Sequence, residues 1–215
     1  MKKVSCLLLY FLTVTFLLTL PVCAAYSTQA VSYYTSGTGY IENGNYSEAI
    51  GALNQAIALE PGYYEAYNAK ADALNRNKQY ADALAASDRS LALSPEYGKG
   101  WINRGYILYN LGRYDEEIKA YEKAVALDPE NADAWFNRGY ALAGIGEYDE
   151  ALRSFDTVAR INPAYPNLAA NRRIAEKNRE AATPFHLRYA PWIALAALLV
   201  LCIGALAYWQ KTKKR

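Results

Sequence analysis

Polar and apolar positions in the middle of the chain follow a helical rhythm that restarts every 34 residues. Pro61, Pro95, Pro129 and Pro163 stand 34 residues apart. The segments Ile57-Ala58-Leu59-Glu60, Leu91-Ala92-Leu93-Ser94 and Val125-Ala126-Leu127-Asp128 each precede one of those prolines. Within each unit, apolar residues recur at helical spacing on both sides of a polar break at Gly44-Asn45, Asn77-Lys78, Gly112-Arg113 or Gly146-Glu147. That pattern predicts two antiparallel helices per unit, with the glycines as left-handed helix stops and Ser47, Asp115 and Asp149 as caps or first-turn acids. Two continuous apolar blocks, Cys6–Leu20 and Ile193–Tyr208, lie outside the rhythm.

Further columns share the period. Tyr46, Tyr80, Tyr114 and Tyr148 form one, Tyr33, Tyr67, Trp101 and Trp135 another, and Gly37, Ala71, Gly105 and Gly139 a third. A 34-residue period with an aromatic followed by a small residue, a mid-unit Tyr and a terminal Pro resembles the tetratricopeptide repeat. The resemblance divides the chain into units 30–63, 64–97, 98–131 and 132–165, with 166–181 as a capping helix. It implies an all-α fold, an α-solenoid of four helix pairs plus that cap, in which no pair buries its apolar face alone and stacking supplies the stability. Some positions depart from the pattern. Ser87 and Ser90 stand where core residues are expected, and Glu117 stands where the other units have Ala49, Ala83 and Ala151. A buried, unpaired carboxylate is costly, so local splaying, partial exposure or a nearby cation is expected, with Arg104 the candidate.

The apolar blocks change the picture from a soluble solenoid to one addressed to a membrane. Lys2 and Lys3, the block Cys6–Leu20 and the small residues around Ala24 and Ala25 form a three-part secretory signal, read as residues 1–25. Leu20-Pro21-Val22-Cys23 offers a second reading as a lipidation site on Cys23, and an uncut anchor is a third. The C-terminal block is read as a single transmembrane helix over 192–209, bracketed by Trp192 and Trp209 as interfacial belts and about 27 Å long. A linker at 182–191 joins it to the cap. The tail 210–215 holds Lys211, Lys213, Lys214 and Arg215, which by the positive-inside rule stays cytoplasmic. The repeats are then expected on the extracytoplasmic face of a cell membrane, with the membrane itself as one partner.

Composition narrows the chemistry. A net charge of +2, from 23 basic and 21 acidic residues, lacks the strongly basic footprint of a nucleic-acid binder, so no nucleic-acid partner is expected. A single His and the absence of Cys between Cys23 and Cys202 leave no basis for a metal site or a thiol nucleophile. No phosphate-cradling loop or catalytic triad pattern occurs, so neither cofactor nor enzymatic activity is expected. Twenty tyrosines in 215 residues are the conspicuous excess.

In the family resembled, the first helix of each unit lines a concave groove. That carries over to Asn68, Asp72, Asn75 and Arg76 from the second unit, Asn103, Tyr106, Tyr109 and Asn110 from the third, and Asn137 and Tyr140 from the fourth. Asn offers both a donor and an acceptor to an extended peptide backbone, and Tyr offers rigid area with a polar tip. The groove is expected to bind a protein or peptide, making the chain a scaffold; a cell-surface polysaccharide held by the tyrosines is the alternative. A carboxylate clamp known in one subgroup is missing, since its basic positions hold Asn68, Asp72, Lys99 and Asp133. Asn45-Tyr46-Ser47 is a glycosylation sequon, with Asn45 at a turn.

Overall fold

The computed structural model describes residues 26–183, 192, 195–201 and 203. The 34-residue rhythm becomes a succession of helices: α1 (Thr28–Glu42), α2 (Tyr46–Leu59), α3 (Tyr64–Arg76), α4 (Tyr80–Leu93), α5 (Gly98–Asn110), α6 (Tyr114–Leu127), α7 (Ala132–Gly144), α8 (Tyr148–Ile161) and α9 (Leu168–Ala182). The helices pair in order, α1 with α2 through α7 with α8, and α9 packs on α8. The second helix of each pair ends two residues before a proline of the 34-spaced set, which cannot continue it.

The polar breaks act as expected. Gly44, Gly112 and Gly146 take left-handed φ values of 77°, 71° and 90°, and in the second pair Lys78 takes the same position at 62°. Tyr46, Tyr80, Tyr114 and Tyr148 open the second helices, so Asp115 and Asp149 fall in the first turn, where a carboxylate meets the positive end of the helix dipole.

The small-residue column explains how the two helices of a pair touch. A Cβ on Gly37 would stand 2.6 Å from Leu53 Cγ, and one on Gly139 would stand 2.7 Å from Phe155 Cε1. On Gly105 it would strike the ring of Tyr121, which is itself fully buried. Each glycine therefore receives the side chain sixteen positions later, as a knob in a hole. The second pair inverts the trade: Ala71 carries the Cβ and its counterpart is the small Ser87. Ser90, also buried, donates its hydroxyl to the Tyr64 carbonyl oxygen at 2.8 Å. The departures in that unit are thus local compensations, and α3 and α4 keep the lengths of their counterparts α5 and α6. Trp101 and Trp135 each tie a first helix to the preceding loop, their indole N–H groups donating to the carbonyl oxygens of Pro95 and Pro129 at 2.8 and 2.9 Å.

First helices also meet across the array: α1 touches α3, α3 touches α5 and α7 touches α9. Closer approach on that side bends the stack, so the first helices line its inner surface. Between α5 and α7 the approach is marginal at most. This gap coincides with Glu117, and its consequences are described below. α9 buries Leu168 and Ala175 against the last pair and leaves its outer side polar, as a cap requires.

The membrane segments are mostly beyond this description. The leader 1–25, the linker from 184 to 191 and the tail 210–215 lie outside the described residues, as does part of the expected span 192–209. Within that span Trp192, residues 195–201 and Ile203 are helical, and their large apolar side chains are exposed. Among the described residues no helix is long and apolar enough to cross a membrane.

Candidate binding groove

The groove is built from the inner faces of α3, α5 and α7, with α9 closing one end. Two hollows lie along it and share Tyr106. The first, of about 440 Å³, brings together Asn68, Asp72, Arg76, Asn103 and Tyr106, with Lys99 and Ile102 beside them. The second, about 240 Å³, gathers Tyr106, Tyr109, Asn137 and Tyr140 over Glu117, Tyr121 and Phe136. It adjoins a larger cavity of about 480 Å³ lined by Tyr109, Tyr114, Glu117 and Tyr140, with Asn171, Ile174 and Asn178 of α9 on its far side. The sequence-derived set is therefore one surface, apart from Asn75 and Asn110, which line neither hollow; the Asn110 amide donates to Asn75 Oδ1 at 2.8 Å.

Hydrogen bonds decide what each side chain has left to offer. The Asn103 amide donates to the Asn68 carbonyl oxygen at 3.1 Å and to Asn68 Oδ1 at 3.0 Å. The Asn137 amide donates to the Tyr106 hydroxyl at 2.7 Å. Asn103 thus spends both its N–H groups inside the groove and keeps its side-chain oxygen as the acceptor for a ligand, whereas Asn137 spends one N–H and keeps the other beside its oxygen, the bidentate pair the sequence suggests. Asp72 accepts from Arg76 one turn on, at 2.9 Å, so this pair presents little net charge. The rings of Tyr106, Tyr109 and Tyr140 are each close to half exposed. Burial of its surroundings raises the Tyr106 phenol above its ordinary 10.0, against a lowering by the Asn137 bond. The phenol of Tyr140 is the largest of the effects that raise Tyr109. Tyr106 and Tyr109 are therefore neutral donors at physiological pH.

Glu117 is the residue whose role the sequence left unassigned. It is 2% exposed, and its Oε2 has no hydrogen-bond partner among the described residues. Arg104 does not serve it: that guanidinium pairs with Asp88 at 3.1 Å, because α5 turns Arg104 toward the α4 side. The neighbouring Arg113 is likewise engaged by Glu116, at 2.7 Å. Burial alone pushes the Glu117 carboxyl from 4.5 up to about 7. The same burial, with Glu117 nearby, drives the Tyr121 phenol far up. The signal for Glu117 was in the sequence, as the single acid in an alanine column; its placement beneath Tyr109 and Tyr140 was not. Asn45 is exposed at the start of α2 with no side-chain cap bond, leaving its amide free.

Comparison with known proteins agrees with the architecture. Residues 34–98 and 132–165 match families described as tetratricopeptide repeat, and 105–146 match a family described as TPR repeat. No curated protein sequence matches significantly. Among solved structures, PilF of Pseudomonas aeruginosa is 24% identical with a TM-score of 0.65, covering 71% of this chain and 70% of its own. YrrB, described as a TPR protein with an unusual peptide-binding site, is 23% identical with a TM-score of 0.58, covering 70% of this chain and 79% of its own. The first TPR of Spaghetti (RPAP3), solved bound to an HSP90 peptide, is 26% identical with a TM-score of 0.53, covering 55% of this chain and 94% of its own.

Proposed function

We propose, from the premise that the chain belongs to the tetratricopeptide repeat family, that it is a non-catalytic scaffold whose inner groove binds a protein or peptide partner. The observation that carries this reading is the continuity of the surface. Three half-exposed tyrosines and the spare oxygens of Asn103 and Asn137 run along one inner face, spanning α5 and α7. Rigid aromatic area with fixed acceptors costs little conformational entropy to order, which suits an extended peptide. The solved relatives YrrB and RPAP3 are described with a peptide-binding site and a bound peptide. Likeness to them supports the reading as analogy, since fold does not name a partner.

The finer reading is that the scaffold is held at a cell membrane by a helix at 192–209, with a leader at 1–25, the repeats on the extracytoplasmic side and the basic tail inside. The supports are the two apolar blocks, the Trp residues bracketing the second and the four positive charges after it. Protease treatment of intact cells tests this; survival of the repeats would contradict it. A polysaccharide ligand is the second reading, favoured by the openness of the Tyr106, Tyr109 and Tyr140 rings, on which sugar faces can lie.

Binding is tested by affinity capture from detergent-solubilised membranes with the full chain as bait. The control bait carries Asn103→Ala, Tyr106→Ala and Asn137→Ala together. A protein captured by the parent and lost with the control supports the groove. Equal capture by both moves the site elsewhere, and glycan rather than protein capture favours the second reading.

A further inference from the structure

Glu117 sits where packing has no use for a carboxylate. Its counterparts Ala49, Ala83 and Ala151 are fully buried contacts between helices. Glu117 instead lines both the 240 Å³ hollow between α5 and α7 and the 480 Å³ cavity next to it, which α7 and α9 wall with Tyr109 of α5 and Tyr114 of α6. Oε2 has no donor among the described residues, and Arg104 and Arg113 are both spent on other acids. A carboxylate left unpartnered in a hollow is a standing demand for a cation.

The walls say which cation. Tyr109 and Tyr114 flank the hollow with ring centroids 6.2 Å apart and planes tilted by 58°, and Tyr140 stands on the α7 side. Aromatic faces within about 6 Å attract an ammonium through the ring quadrupole. Ala141, Ala143, Phe155 and Ile174 supply the remaining wall, which is apolar and suits an alkyl stem rather than a hydrated ion. On the α9 side, the Asn171 amide donates to the Asn167 carbonyl oxygen at 3.0 Å, which leaves its side-chain oxygen as an acceptor. Among the described residues Glu117 is the only charged one lining the cavity, and it attracts a positive guest.

We propose that this cavity receives the primary ammonium of a lysine side chain carried by the groove's protein or peptide partner, with Glu117 as counter-ion and the Tyr109, Tyr114 and Tyr140 rings as walls. The proposal rests on the peptide-binding reading above and deepens it by naming the partner's chemistry. Occupancy also gives binding a pH dependence. Among the described residues, the titratable groups lining the two hollows with Glu117 are Tyr106 and Tyr109 of α5, Tyr114 and Tyr121 of α6 and Tyr140 of α7, and the lining residues of α8 and α9 are not titratable. With its own carboxyl raised to about 7, Glu117 must lose a proton to accept the cation at lower pH. Affinity should then fall as pH drops below about 7, at up to about tenfold per unit.

The test uses the full chain in detergent and a random octapeptide library, acetylated and amidated so that only side chains carry charge. Retained peptides are sequenced, then remade with each lysine replaced by norleucine and by arginine. The parent protein is expected to select lysine, and norleucine is expected to weaken binding by at least about tenfold. Glu117→Gln keeps the shape and removes the charge; it should abolish both the lysine preference and the fall in affinity between pH 7.5 and 5.5. A urea midpoint at or above the parent's confirms that this variant is folded. Peptides retained without lysine preference, or with a preference that survives Glu117→Gln, overturn the proposal and leave the groove reading standing. Equal strength for arginine overturns the assignment of a primary ammonium. No peptide retained above a detergent-only background overturns the peptide reading, and the proposal falls with it.

Discussion

Replacing Glu117 by alanine restores the residue its three counterparts carry, and the structure sets both the sign and the pH dependence of the result. Above pH 7 the buried carboxylate is charged and unpaired. Its rise from 4.5 to about 7 corresponds to about 3 kcal/mol of lost stability, at about 1.4 kcal/mol per unit. The sign follows from proton binding: between the two values the folded chain holds a proton the unfolded chain has released, so stability falls as pH rises through that window. At pH 5 most of the penalty has gone. Truncation to alanine removes one buried methylene along with the carboxyl group, worth about 0.8 kcal/mol at either pH. The variant is therefore expected to be more stable than the parent by about 2–3 kcal/mol at pH 8, and about equal to it at pH 5. Urea unfolding followed by far-ultraviolet circular dichroism at both pH values reads this directly. Parallel pH profiles for parent and variant would refute the reasoning, since they would mean that the carboxylate is solvated or paired in the folded state.

Other expectations follow from single contacts. Gly105→Ala drives a methyl into the buried Tyr121 ring and should cost about 1–3 kcal/mol, whereas Gly51→Ala on the open side of α2 should stabilise by about 0.5–1 kcal/mol; thermal melts compare the two. Lys78→Gly relieves a left-handed residue in the one break that lacks glycine and should raise the urea midpoint, by about 1 kcal/mol. Ser87→Ala removes a buried hydroxyl with no partner among the described residues at nearly constant volume, so it should be neutral or stabilising by about 1 kcal/mol, while Ser90→Ala, which removes a buried hydroxyl that is bonded to the Tyr64 carbonyl oxygen, should cost about as much.

The solenoid was legible because its signals are periodic. Each turn residue, each knob and each hole recurs at 34, so one unit corroborates the next, and the helix starts at Tyr46, Tyr80, Tyr114 and Tyr148 follow the column that marked them. The groove was legible as a face, since the first helices carry Asn103, Tyr106, Asn137 and Tyr140 at matching positions. What the groove residues do with their hydrogen bonds was not, because the Asn103–Asn68 and Asn137–Tyr106 bonds join neighbouring units and depend on their rotation. Arg104 shows the same limit: a helical position has a direction, and that of Arg104 leads to Asp88 rather than Glu117. Glu117 was visible as an exception but not as a cavity floor, since the gap between α5 and α7 is a property of two helices and not of either alone.

The most direct measurement is site-specific photocrosslinking in living cells, with a photoreactive phenylalanine at position 109 in the groove or at position 123 on the exposed outer side of α6. A groove that binds a partner should give a discrete protein adduct from position 109, none from position 123, and loss of the first on adding Asn103→Ala and Asn137→Ala. An adduct from position 123 alone, or one at 109 that is indifferent to those substitutions, would contradict recognition through the groove.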